Sequence, residues 1–459
     1  MPRPVIAVVG AGFSGALTAL NILAAEGSRA KTHLIEAAPR FGLGAAFGTA
    51  EPEHLLNVRA QNMSADPDRP DDFMAWLATR RGQPPDPFAF ASRRDYGAYV
   101  QARLRQVALG PSATDRLNLV PDQAVGIEAN GDGFSLRLGM GRRLDCDAVV
   151  LAIGNPAPSV AVLPDPTFAE HPAYIGSPWA PGSLERVDAD DAVLLLGAGL
   201  TMVDVMASLS ARGHRGGVTA LSRRGLAPLA HAGGTPAAAA SWTRAPGERL
   251  SESLRRFRRH AAMAGDWRAA FDALRPTTQA LWRAMDADQR ARFLRHLRPW
   301  WDIHRHRLAP RVAEQLAAWR AGRLEIRAGR LDALLPAGDE VEARWTPRGE
   351  RQLLSRQVRW VINCTGPEGD VRRLRSPLVQ SLLTGGLARP DPFGLGLDVT
   401  EDARLLDAQG RAQPRLYGVG PIARGALWEV SAVPDIRVEA RRLGRVLARL
   451  DLARPADAA

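Results

Sequence analysis

An apolar run, Val5-Ile6-Ala7-Val8-Val9, leads directly into Gly10-Ala11-Gly12-Phe13-Ser14-Gly15, and this junction restricts the fold more than any other stretch. A β-branched run without polar alternation is the pattern of a parallel strand covered on both faces. In such a turn Gly10 permits the sharp bend, Gly12 lets backbone N–H groups approach a phosphate, and Gly15 lets a helix pack close to the strand. Ala16, Leu17, Leu20, Leu23 and Ala24 are spaced for a helix over 13–25. Thr32-His33-Leu34-Ile35 then predicts a second strand, ending at Glu36, 26 residues beyond Gly10. Strand, turn, helix, strand and terminal acid make a βαβ dinucleotide unit.

The chemistry follows from the end groups. The helix N-terminus offers free N–H donors and a partial positive charge to a pyrophosphate. A carboxylate at Glu36 accepts from both hydroxyls of an adenosine ribose and would repel a 2′-phosphate. That leaves FAD or NAD for Gly10, Gly12, Phe13, Ser14, Gly15, Glu36 and the adjoining Ala37. The motif's place at the N-terminus, with a second unit downstream, favours FAD.

The second unit starts at Val193-Leu194-Leu195-Leu196 and turns through Gly197-Ala198-Gly199-Leu200-Thr201-Met202. A helix over 200–211 and a strand from Val218 are expected. Met202 occupies the place of the third glycine, so helix and strand are expected to stand further apart. The second strand ends in Ser222-Arg223-Arg224 where the first unit has Glu36; a hydroxyl and two guanidiniums there suit a 2′-phosphate. Gly197, Gly199, Leu200, Thr201, Ser222, Arg223 and Arg224 are therefore candidates for NADPH, with NADH the other donor. A degenerate unit kept for architecture is the competing reading of Met202.

A chain of 459 residues calls for two or three domains. The expected α/β architecture is two Rossmann-like dinucleotide-binding domains with a helical insert. Residues 1–158 form the first part of the FAD domain and 159–359 the NAD(P)H domain, with the insert at 234–322. Residues 360–459 return to the FAD domain, through a strand ending at Val419 and a closing helix over 436–450. One further strand is expected over 358–364.

Net charge is +11, yet Lys31 is the sole lysine, and the arginines are not gathered in one tract. Nucleic-acid binding wants a clustered basic stripe, so it is not expected; a field that attracts anionic cofactors is. Cys146 and Cys364 form no Cys-x-x-Cys pair, which argues against a redox dithiol and against a cysteine metal site. No apolar run of about 18 residues exists, so no membrane span is expected. The first strand begins close to Met1 and leaves no room for a signal peptide, so a cytoplasmic location is expected. Homo-oligomerisation stays open.

Further segments carry a family likeness: His54-Leu55-Leu56-Asn57-Val58 with Met63-Ser64, Leu151-Ala152-Ile153-Gly154, Trp300-Trp301-Asp302-Ile303-His304-Arg305-His306-Arg307, Cys364-Thr365-Gly366-Pro367, and Gly420-Pro421 through Trp428-Glu429 to Arg437. Together with the two turns they resemble the bacterial FAD/NAD(P)-binding proteins of the NAD_binding_9 type, within the two-dinucleotide flavoproteins. The resemblance implies reduction of FAD by NADPH and activation of O2 at the flavin, as in N-hydroxylating monooxygenases. Its substrate would be a small metabolite bearing an amine or carboxylate. It adds His54, Asn57, Met63, Ala152, Gly154, Gly420, Pro421 and Trp428 to the candidate flavin contacts. His54 and Asn57 read equally as loop caps, and Trp428 equally as core. Pro421 departs from relatives that carry Gly-Asp there, so a ribityl contact must come from elsewhere. Asp302, His304 and Arg305 are candidates for positioning a substrate; the same residues read as a solvated, Arg-rich helix end. Two other functions stay open: an NAD(P)H-dependent flavin reductase or dehydrogenase with another acceptor, and a non-catalytic FAD-binding redox sensor.

Overall fold

The computed structural model describes residues 3–49, 51–110, 115–234, 237–245 and 247–450. The chain divides into two compact units: Met1–Ala50 with Val58–Pro156 and Glu368–Ala459, and Glu51–Asn57 with Ala157–Pro367.

In the first unit β1 (Val5–Val9), α1 (Phe13–Ala24) and β2 (Lys31–Glu36) form the expected βαβ unit. The sheet has six strands in the order Arg404–Leu406, Ala412–Gly418, Ala148–Leu151, β1, β2, Leu117–Pro121. All neighbours run parallel except the edge strand Arg404–Leu406. Ile6, Val8, Leu34, Val150, Ile22, Leu443 and Leu447 are fully or almost fully buried in one core. Burying each such side chain contributes about 1.5–3 kcal/mol. The closing helix, Val433–Ala448, lies across α1, and its Leu443 and Leu447 reach the same core as Ile22. A three-stranded antiparallel sheet, Ala124–Asn130, Gly133–Leu138 and Arg143–Cys146, completes this unit.

The second unit is built on seven strands: Leu354–Val358, Glu340–Pro347, Leu324–Ala337, Val218–Ser222, Val193–Leu196, Trp360–Asn363 and Tyr174–Ile175. The last five of these are parallel; the first three form an antiparallel extension. Leu200–Ala211 is the motif helix. Helices between Leu250 and Gly322 make the insert. Asp266 and Asp286 cap two of them by accepting from the N–H groups of Arg268 and Gln289. Trp282, 1% exposed, fills the insert's interior.

Two sequence expectations need correction. The apolar stretch 358–364 is two strands: Val358 ends an antiparallel strand, while Trp360 starts a parallel one beside Val193–Leu196. The strand Trp360–Asn363 therefore belongs to the second unit, and the return to the first begins at Glu368, not at residue 360. Residues 51–57 also belong to the second unit. No helix among the described residues is long and apolar enough to cross a membrane.

Candidate nucleotide sites

The first turn has the geometry a nucleotide needs. Gly10 has φ +93°, and a Cβ there would stand 2.4 Å from the Ala152 carbonyl oxygen. A Cβ at Gly15 would stand 1.9 Å from the Gly10 carbonyl oxygen, so helix and turn meet only through glycine. Gly12 is the N-cap of α1 and supplies no side-chain cap, which leaves first-turn N–H groups for a ligand. Glu36 Oε2 accepts from the Ala11 N–H at 2.9 Å. The carboxylate is thus fastened to the turn itself, with Oε1 left to accept from a ribose.

Two buried donors that sequence reasoning did not single out lie in this unit. Tyr96 is fully buried, its ring 5.8 Å from Phe13 and 4.7 Å from Phe47. Its hydroxyl has no hydrogen-bond partner among the described residues, nor has Nε of Arg437. Burial holds the Tyr96 hydroxyl neutral well above its usual range, against the opposing charge of Arg437. An unsatisfied buried donor costs about 1–3 kcal/mol; Thr32 Oγ1 and Arg441 Nε of this unit also lack a partner among the described residues, and such donors fit a bound group rich in acceptors. Arg437 also donates from Nη1 to the Ser64 carbonyl oxygen at 2.8 Å. Nothing local marks Tyr96 in the sequence, because its orphan status depends on what surrounds it in three dimensions.

The second turn repeats the first. Gly197 has φ +112°, with a Cβ position 2.5 Å from the Cys364 carbonyl oxygen, and Gly199 is an uncapped N-cap with open space beside it. Leu200 and Thr201 open the helix. Met202 is completely buried; its side chain is core and leaves the turn's backbone like that of the first unit. Ser222 Oγ accepts from the Gly225 N–H at 3.0 Å and shapes the bend after the strand. Arg223 is exposed. Arg224 donates to the carbonyl oxygens of His296 (2.9 Å) and Arg295 (3.1 Å), so it is engaged with the insert.

The other candidates have the following places. His54 is buried, with Nε2 3.0 Å from the Asp204 carbonyl oxygen and 2.9 Å from Ser208 Oγ, and its ring meets Trp179 edge-on. It holds a loop to the motif helix of the second unit, which is the capping reading. The Asn57 carbonyl oxygen faces His231 Nε2 at 3.0 Å. Met63 and Ala152 are buried, and Gly154 takes φ +70° after its strand. Gly420 is buried at φ +76°, and Pro421 follows it in the short helix Gly420–Ala423. Trp428 is 4% exposed, in keeping with the core reading.

In the insert, His304 stacks on Phe271 (centroids 5.0 Å, 13°), meets Trp267 edge-on and places Nδ1 2.7 Å from the Trp300 carbonyl oxygen. Those contacts fit the packing reading, with the residue half-buried. Asp302 lies 3.6 Å from Arg298 Nε and 3.9 Å from His306 Nε2. The neighbouring Arg307 is buried against Asp272. Arg305 is half-buried.

Both thiols are free and buried. Burial pushes Cys146 up to about 12 and raises Cys364 further still. Neither is poised for thiolate chemistry.

Residues 7–156 match the model of an FAD-NAD(P)-binding family. No curated protein matches the chain by sequence. Among solved structures, an ornithine N-hydroxylase from Kutzneria sp. 744, determined with reduced FAD, NADP+ and L-ornithine, matches with TM-score 0.68 at 13% identity, over 98% of this chain and 99% of that one. A cadaverine monooxygenase from Erwinia amylovora bound to FAD matches with TM-score 0.65 at 12% identity, over 99% and 96%. A thioredoxin reductase from Lactococcus lactis matches with TM-score 0.54 at 10% identity, over 97% and 99%. The chain shares the fold of these three structures.

Proposed function

We propose that this chain is an FAD- and NADPH-dependent monooxygenase of the N-hydroxylating type, acting on a small metabolite with an amine or carboxylate group. The observation that carries the cofactor pair is the opposite charge at two equivalent strand ends, Glu36 bonded to its own turn and Arg223 exposed beside the other. N-hydroxylation is supported by the likeness to hydroxylases of ornithine and cadaverine, which runs over 98% or more of this chain and so includes the insert.

When bound, FAD would supply two-electron reduction by a nicotinamide and activation of O2. The protein's part is to hold, orient and keep out water. N–H groups at Gly12, Phe13 and Ser14 would hold the FAD pyrophosphate, with Glu36 on the ribose. Tyr96 and Arg437 offer donors otherwise unsatisfied, and the N-terminus of Val433–Ala448, which has no side-chain cap, would favour negative charge on a bound flavin. Gly197, Gly199, Leu200 and Thr201 would take the nicotinamide dinucleotide. Asp302 and Arg305 remain the insert's candidates for orienting a substrate.

Absorbance decides the matter. NADPH should bleach the flavin bands without oxygen. In air, the right amine should accelerate NADPH consumption, with hydroxylamine formed in step. Bleaching with no amine-stimulated consumption across a panel of diamines and amino acids would favour a reductase. Failure of both nicotinamides to bleach the flavin would leave a non-catalytic flavoprotein.

A further inference from the structure

Arg224 explains its own surroundings. Its guanidinium binds the carbonyl oxygens of Arg295 and His296, inside the π-helical turn Phe293–Leu297. In a regular helix the Arg295 carbonyl would accept from residue 299, but that residue is Pro299, which has no N–H. Arg224 donates to that carbonyl from outside the helix. The strand end Val218–Ser222 and the insert's π-turn are therefore joined by one side chain, and turns of this kind recur at functional sites.

At this junction the backbone of Arg295 and His296 lies against Arg224, the residue after Arg223. Arg223, Arg295 and His296 are all exposed. Arg298, on the next turn, is already committed to Asp302. The insert carries 17 arginines against 8 acids over 234–322, so it holds most of the chain's net charge of +11. The arginines are less evenly spread than the sequence reading assumed.

We infer that the insert supplies part of the 2′-phosphate site: Arg223 and Arg295 contact the phosphate, and Arg224 is a positioning residue that clamps the π-turn beside it. The inference rests on NADPH being the donor. It goes further in making discrimination between the two nicotinamides a property of the insert as well as of the Rossmann strand. A guanidinium pairs well with a phosphate because planar N–H groups meet its oxygens two at a time. Nucleotide binding would then tighten the insert against the second unit's own sheet.

Calorimetry on the full-length, FAD-loaded protein tests this with 2′,5′-ADP and 5′-AMP as probes. Arg295→Ala should weaken 2′,5′-ADP about tenfold and leave 5′-AMP within about twofold. Arg223→Ala should do the same. Arg224→Gln should lower the ratio of the two affinities, and Arg224→Lys, which keeps one donor, should restore part of it. A purely structural role for Arg224 would move both probes together and overturn its assignment. If Arg223→Ala weakens 2′,5′-ADP but Arg295→Ala does not, the insert has no part in the site, while the NADPH reading stands. If the unaltered protein binds both probes alike, the NADPH reading fails and this inference with it.

Discussion

The two dinucleotide turns share a backbone and differ in how the helix is held. Gly10 and Gly197 both have positive φ, and each abuts a carbonyl oxygen on the next parallel strand, of Ala152 and Cys364 respectively. Gly154 and Gly366, three residues past the ends of those strands, take the same left-handed conformation. At the third motif position the units part. Gly15 has no room for a methyl group, whereas Met202 fills a core. A phosphate-binding turn thus constrains its first two glycines through backbone contact. The third reports only the local distance between helix and turn, so Met202 is not by itself a mark of a failed site.

That contrast can be broken most severely at Gly15. Gly15→Ala forces a methyl group onto a backbone oxygen that no rotamer can relieve. The expected loss is about 3 kcal/mol or more of stability, and with it retention of FAD on purification; thermal melting and the flavin spectrum check both. A variant that keeps its flavin and melting temperature would show that the close approach is not required. Met202→Ala acts the opposite way, by emptying space. About 2–5 kcal/mol of stability should go, with the 2′,5′-ADP to 5′-AMP affinity ratio unchanged in whatever protein stays folded. Next in size, Glu36→Gln retains the shape but halves the bond to the ribose and weakens the link to the Ala11 N–H. FAD affinity should fall about tenfold, measured by apo-protein titration; unaltered affinity would remove Glu36 from the site.

Much of this was legible in sequence because it is local. An apolar run, a glycine turn and a helical repeat lie within 36 residues, and each rests on contacts a few positions apart. What could not be read depends on distant partners. His54 read equally as a flavin contact and a loop cap, because the partners of its ring nitrogen, Asp204 and Ser208, lie some 150 residues on. The stretch 358–364 looked like one strand because Val358 and Trp360 are both apolar; only pairing separates them. His304 offered a plausible ligand, but Phe271 and Trp267 had a prior claim on its faces. Tyr96 gave no signal, since tyrosine on a helix is ordinary and an unsatisfied hydroxyl is a property of the surrounding packing.

The smallest expected effect concerns the residue that separates the supporting strands, Ala152 in one unit and Cys364 in the other. Cys364→Ala makes the second turn's support like the first's. At pH 7 the cost should be about 1 kcal/mol, typical of a modest core change. Alkaline pH reveals more. Burial raises both thiols above their ordinary value near 9, Cys146 to about 12. Above pH 9 the unfolded chain releases thiol protons that the folded chain keeps, so stability falls as pH rises, by about 1.4 kcal/mol per pH unit per thiol. Below pH 9 the contribution is fully present; for Cys146 it is lost progressively up to about 12. Melting curves between pH 8 and 11 should therefore be less steep in pH for Cys364→Ala than for the unaltered chain, while NADPH-driven flavin reduction at pH 7.5 continues. An identical slope would mean that the Cys364 thiol ionises freely in the folded protein. A loss of flavin reduction would mean that the substitution disturbs the second turn, whose Gly197 abuts the Cys364 carbonyl.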